Sequence, residues 1–159
     1  MRILGIDPGF KATGYGFIEC QNRSMKVLEA GTIEPKIKDN IQNRILKIYL
    51  CLDQLLVSYK PDILVLEQLY AHYKHPATAS KMGHVRGVIC LLCAQKNIKL
   101  VEYSVKRIRK AICGNGNATK AQVSRIVGHT FKIDERKLPL DATDALGLAL
   151  AHIYMGRLL

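Results

Sequence analysis

No stretch of this 159-residue sequence is apolar for long enough to cross a membrane. The opening Met1-Arg2-Ile3-Leu4-Gly5-Ile6 meets an acid, Asp7, too soon to be expected to act as a signal peptide. Internal repeats, low-complexity tracts and linker-like segments are also missing, so one domain over residues 1–159 is the expected organisation. Disulfides are not expected either. The five cysteines (20, 51, 90, 93 and 113) are odd in number and mostly stand in apolar runs, as reduced, buried thiols of a cytoplasmic protein do. Cys90 and Cys93 have redox or zinc spacing. No second cysteine or histidine pair accompanies them, and Val88-Ile89-Cys90-Leu91-Leu92-Cys93-Ala94 reads as a buried helix.

Negative charge is scarce. Thirteen Asp and Glu stand against 24 Lys and Arg, a net charge of +11. From Gln68 to Ile133 the only acid is Glu102, against twelve Lys or Arg. A solvated cationic surface would aid solubility. An imbalance of this size favours instead a polyanion partner such as nucleic acid, bound largely through counterion release.

What is present is ordinary globular material, 48% hydrophobic and 23% charged, in alternating strand and helix patterns. Apolar runs and turn residues predict strands at 2–7, 13–20 and 25–33, a three-stranded meander. Apolar residues at 41, 45, 48, 52, 55 and 56 predict a helix capped by Asn40 and ended at Lys60-Pro61-Asp62. A strand over 63–66 ending at Glu67, a helix over 76–96, a strand over 98–103 and a short basic helix over 104–113 follow. Thr119 is placed to cap a helix over 120–130, and Leu138-Pro139 to open an apolar last helix. That order means an α/β fold, a mixed five-stranded sheet flanked by helices.

The few acids fall at particular places. Asp7 ends the first buried strand before Pro8-Gly9, and Glu67 ends the fourth. Asp141 and Asp144, three apart, share one side of a helix that must lie against the core. Singly, each has a local explanation: a strand-end turn, or a carboxylate favoured in a first helical turn. If they converge, two charges ~4 Å apart repel by ~4 kcal/mol at an effective dielectric of ~20, so a cation is needed. Oxygen-only ligands point to Mg²⁺ or Mn²⁺ and to in-line phosphodiester chemistry.

Four motifs carry a resemblance. Gly5-Ile6-Asp7-Pro8-Gly9 with Thr13-Gly14-Tyr15-Gly16, Glu67-Gln68-Leu69-Tyr70, Gly83-His84-Val85-Arg86-Gly87 and Asp141-Ala142-Thr143-Asp144-Ala145-Leu146 resemble, in order and spacing, the RuvC family of Holliday junction resolvases. The likeness covers about residues 1–155. It implies a ribonuclease-H-like fold, a homodimer, and Mg²⁺-dependent symmetric cutting of four-way junction DNA, leaving 5′-phosphate and 3′-hydroxyl ends in recombination and repair. It implies a metal-binding tetrad of Asp7, Glu67, Asp141 and Asp144 around two ions, with Mn²⁺ able to substitute. Some members have histidine at the position of Asp141. The resemblance further implies that Lys120 works at the scissile phosphate and that Tyr70 stacks on exposed bases at the crossover.

Arg86, Arg109 and Lys110 are expected on the DNA, with Arg109 standing where members commonly have lysine. The helix from Met82 to Gln95, with Gly83 and Gly87 one turn apart, is the expected dimer surface, burial within the monomer being its competitor. A branch-migration helicase complex is a further candidate partner. Three alternatives stay open. One is an actin-like nucleotide-binding fold, which needs roughly twice this length. The others are a related nuclease acting on structured RNA and a non-catalytic basic DNA-binding protein.

Overall fold

The computed structural model describes residues 1–22, 24–68, 76–134 and 137–157. Five strands, β1 (Arg2–Asp7), β2 (Thr13–Gln21), β3 (Ser24–Ile33), β4 (Ile63–Glu67) and β5 (Lys99–Tyr103), form one sheet in the order β3-β2-β1-β4-β5. The meander β1-β2-β3 is antiparallel, whereas β4 and β5 run parallel to β1. Between them lie α1 (Ile41–Tyr59) and α2 (Pro76–Lys96), and after them α3 (Val105–Cys113), α4 (Lys120–Phe131) and α5 (Leu140–Arg157). Strand alternation divides the apolar residues between two cores. Leu4, Ile6, Phe17, Leu64 and Leu66 pack under α1 and α2 with Ile48, Leu52, Val85, Ile89 and Leu92. Ile3, Ile18 and Val65 pack on the other face with Leu146, Ala149 and Ile153 of α5 and with residues of α3 and α4.

The helix ends follow from their caps. The Asn40 side chain accepts the Asn43 N–H at 2.9 Å. Thr119 and Gln122 form a reciprocal capping box at the start of α4, with the Thr119 N–H donating to Gln122 Oε1 at 2.8 Å. The last helix runs from Leu140, and Leu138-Pro139 opens it as expected, the Pro139 carbonyl accepting the first helical bond from the Thr143 N–H at 3.1 Å.

α5 lies unusually close to the sheet, and glycine is the reason. A Cβ on Gly5 would stand 1.9 Å from the Ala145 carbonyl oxygen, and one on Gly14 2.0 Å from that of Asp141. The helix backbone therefore rests directly on β1 and β2, fixing its first turn against the end of β1.

The cysteines correct one expectation. Cys93 is buried, but Cys90 is exposed and Cys20, Cys51 and Cys113 are only partly covered. The polar residues of α2 are not gathered on one side, so its sequence does not reveal which side faces the sheet.

Candidate active site

Asp7 is the last residue of β1 and Glu67 the last of β4. Ile6 pairs with Leu66, so the two acids are side by side at the same end of neighbouring parallel strands. Residues 3, 5 and 7 share a face with 63, 65 and 67, which turns both carboxylates toward α5. The turn after Asp7 is held at two points. Thr13 Oγ1 donates to the Gly9 carbonyl at 2.9 Å, and the Arg44 guanidinium donates to the Phe10 carbonyl at 3.2 Å. Across from the strand ends stands Asp144, one turn into α5, with the Lys120 ammonium donating to its Oδ2 at 2.6 Å.

These groups line a cleft of about 160 Å³ together with Arg109 and the apolar walls Val105, Ile108, Val123 and Leu148. Burial, then the neighbouring Asp144 carboxylate, push the Asp7 carboxyl up to about 7, against the pull of Lys120. Burial also raises Glu67, again opposed chiefly by Lys120. The hydrogen bond to Asp144 raises the Lys120 ammonium in turn. A carboxyl pushed this far is short of positive charge.

The residues singled out from the sequence do not all meet. Asp7, Glu67, Asp144, Lys120 and Arg109 share the cleft. Asp141 lies on its flank, in a neighbouring hollow with Ser124, Arg125 and Leu140, near enough to raise Asp7. Lys110 is exposed on α3 and takes no part in the cleft. Tyr70 falls within residues 69–75, outside the described residues. Arg86, expected on the DNA, is turned inward, its Nη1 donating to the Glu67 carbonyl at 2.7 Å and its Nη2 to the Glu102 carboxylate.

The donor set suits a hard divalent cation, since every carboxylate offers only oxygen and the half-buried Asp7 has other carboxylates beside it, with Lys120 opposing them. The fit lies in chemistry rather than in preformed coordination. Among the described residues no three His, Cys, Asp or Glu side chains converge closely enough to hold one ion. Lys120 supplies the counter-charge at Asp144 as the side chains stand.

Carboxylates at the ends of two central strands thus face an acid on a helix laid across them, the arrangement expected of a ribonuclease-H-like nuclease. The chain belongs to the family of the crossover junction endodeoxyribonuclease RuvC, whose model matches residues 3–152. The RuvC of Caldicellulosiruptor saccharolyticus is 39% identical over 96% of this chain and 92% of its own. Among solved structures, that of Thermus thermophilus RuvC superposes with a TM-score of 0.90 at 22% identity, covering 99% of this chain and 96% of its own. The same protein in complex with a Holliday junction substrate gives 0.88 at 19%, with the same coverage. At those identities the two superpositions speak for the fold.

Proposed function

We infer that this chain is a structure-selective endonuclease that resolves four-way DNA junctions. The observation that carries this reading is the placing of Asp7 and Glu67 at adjacent strand ends, facing Asp144 and Lys120 across one cleft. Family membership supplies the substrate class, and the net charge of +11 agrees with a polyanion partner.

Asp7, Glu67 and Asp144 are the side chains that would hold Mg²⁺, or Mn²⁺ in its place, with Asp141 joining from the flank. Such an ion supplies a positive charge at the scissile phosphate and lowers the pKa of water bound to it. Lys120 hands its charge from Asp144 to the phosphate as the substrate arrives, stabilising the negative charge that develops there. Arg109, fixed in its protonated state, grips a phosphate oxygen beside the cleft and takes no part in proton transfer. Lys110 contacts the backbone further out, and Tyr70 stacks on a base at the crossover. The products are a 5′-phosphate and a 3′-hydroxyl, formed by paired nicks.

Two equivalent strands need two sites, which a twofold homodimer supplies. The outward side of α2 suits that role. Among the described residues Gly83 and Gly87 have nothing within 4 Å of where a Cβ would stand, and Leu91 beside them is 51% exposed. Among the described residues no helix is long and apolar enough to cross a membrane. A single domain at work in the cytoplasm, with a branch-migration helicase complex as a further partner, completes the reading.

The test is a gel assay of a four-way junction, a linear duplex and a folded RNA, each with Mg²⁺ and with EDTA. Only the junction should be cut, and only with the metal. Cutting of the RNA in preference to the junction would overturn the substrate.

A further inference from the structure

We propose that Arg86 is a positioning residue for the Glu67 carboxylate, tying α2 to the active-site end of β4 with Glu102 as its anchor. The proposal rests on reading Glu67 as a site acid, and begins from an oddity of composition. Glu102 is the one acid among the residues from Gln68 to Ile133, in a stretch with twelve Lys or Arg that the proposed function sets against DNA. A carboxylate there weakens that field, so some other use must keep it.

The structure assigns one. Glu102 is next to last in β5 and reaches to the α2 side of the sheet, where it pairs with Arg86. The Arg86 side chain is only 13% exposed, and its Nη1 donates to the Glu67 carbonyl at 2.7 Å. On the other side of the same peptide unit, the Gln68 N–H donates to the Tyr103 carbonyl at 2.9 Å. The Glu67–Gln68 peptide is thus held at both its oxygen and its hydrogen. With that plane fixed, the direction in which the Glu67 side chain leaves the strand is fixed too. A guanidinium is suited to the task, because its planar fork reaches a carbonyl and a carboxylate at once. An ion pair with one partner 39% exposed adds little to folding stability, so its worth is in geometry. Arg86 also joins two faces of one helix. The same turn of α2 carries Gly83 and Gly87 outward, and Arg86 reaches the site acid from its inner side.

Arg86→Ala and Glu102→Gln, measured in the full-length protein, separate the possible roles. Groups that orient the ligands of a metal cost ~10–100-fold in metal affinity or activity when removed. Arg86→Ala should therefore lower kcat on the junction ~10–100-fold and weaken Mn²⁺ binding, followed by paramagnetic resonance, by a similar factor. Junction affinity in EDTA should stay within twofold, and Arg86→Lys should restore part of the rate by keeping one of the two contacts.

Glu102→Gln is the sharper arm, since its partly exposed side chain is not needed for folding. Removing a negative charge from the basic half should tighten junction binding or leave it unchanged, yet kcat should fall several-fold. If Arg86→Ala instead weakens metal-free junction binding and shallows its salt slope by about one unit, Arg86 is a DNA contact and the proposal fails. If both variants lower only the melting temperature, and the folded fraction cuts normally, it fails as well. Glu67→Gln is measured alongside. Should that variant cut normally, the reading of the acid itself is wrong, whatever Arg86 does.

Discussion

The two faces of the sheet are packed by different means. Under α1 and α2, large side chains such as Phe17, Ile48, Leu52, Ile89 and Leu92 fill the space between helix and strand. Under α5, glycines remove the side chains, so that the carbonyls of Ala145 and Asp141 rest on β1 and β2 themselves. Side-chain packing tolerates exchange of one apolar residue for another, whereas contact between backbones leaves no part that can yield. The rigid face is the one that carries Asp7, Glu67 and Asp144. The forgiving face carries Arg86 and, on its outer side, the bare glycines of α2. Backbone-to-backbone contact is thus concentrated on the face that carries the proposed site.

The largest expected effect is at the rigid face. Asp7→Asn should reduce junction cutting by at least ~100-fold, the scale on which loss of one group that stabilises a transition state is felt. Junction binding in EDTA should be unchanged or tighter, because a negative charge facing a phosphate has gone. Glu67→Gln and Asp144→Asn should show the same split between cutting and binding. Normal cutting by Asp7→Asn would remove the site from this face altogether.

Next in size is Gly5→Ala. The added methyl would stand 1.9 Å from a carbonyl oxygen that belongs to the helix backbone and cannot rotate away. Overpacking of that kind costs ~3 kcal/mol or more. In a chain of this size that lowers the melting temperature by roughly 6–12 °C. A loss below ~2 °C by calorimetry would mean that α5 is free to shift, and the contrast between the faces would be lost.

Much of this arrangement is legible in the sequence, for identifiable reasons. Asp7 and Glu67 stand out because each ends an apolar run, and an acid in that place marks a strand end. Asn40 and Thr119 announce their helices because capping is local chemistry. The meeting of β1 with β4 is not local. It pairs residues some 60 positions apart and is reached from the sequence only through the family resemblance. The inward turn of Arg86 is not legible for a related reason. No acid stands near it in sequence, and only the fold brings Glu102 beneath it. The exposure of Cys90 is not legible because α2 has no polar stripe to mark its outer side.

A smaller effect concerns pH in the absence of divalent cations. Asp7 titrates at about 7 in the folded chain against 3.8 when free of its surroundings. Between those values the folded state keeps a proton that the unfolded state has released. Stability therefore falls as pH rises through that window, and the loss is complete above about 7. Asp7→Asn puts a neutral amide there, which does not titrate. In EDTA its melting temperature should exceed that of the wild type by a margin that grows from pH 4 to pH 8. The growth should be at least ~3 °C, each kcal/mol being worth ~2–4 °C here. Addition of Mg²⁺ at pH 8 should shrink the margin by stabilising the wild type. A margin that does not change with pH would mean that Asp7 is not held short of charge.

The smallest expected effect is on the other side of the molecule, where glycine has the opposite meaning. Gly83 and Gly87 sit inside a helix, and among the described residues a Cβ on either would meet nothing within 4 Å. No described residue of the monomer accounts for them, and each costs ~0.5–1 kcal/mol of helix stability relative to alanine. Gly87→Ala should therefore raise the melting temperature of the monomer at low concentration by ~1–4 °C, the reverse in sign of Gly5→Ala. If the bare side of α2 is where a second copy packs, the same methyl group holds the two helices apart. Sedimentation should then show dimer dissociation at least ~5-fold more favourable, with paired cutting of a junction giving way to single nicks. The two measurements pull in opposite directions, which separates them from any general loss of fold. A variant that gained stability and dimerised as tightly as the wild type would free this face from the role given to it. The glycines would then be left without a use on a face that tolerates substitution.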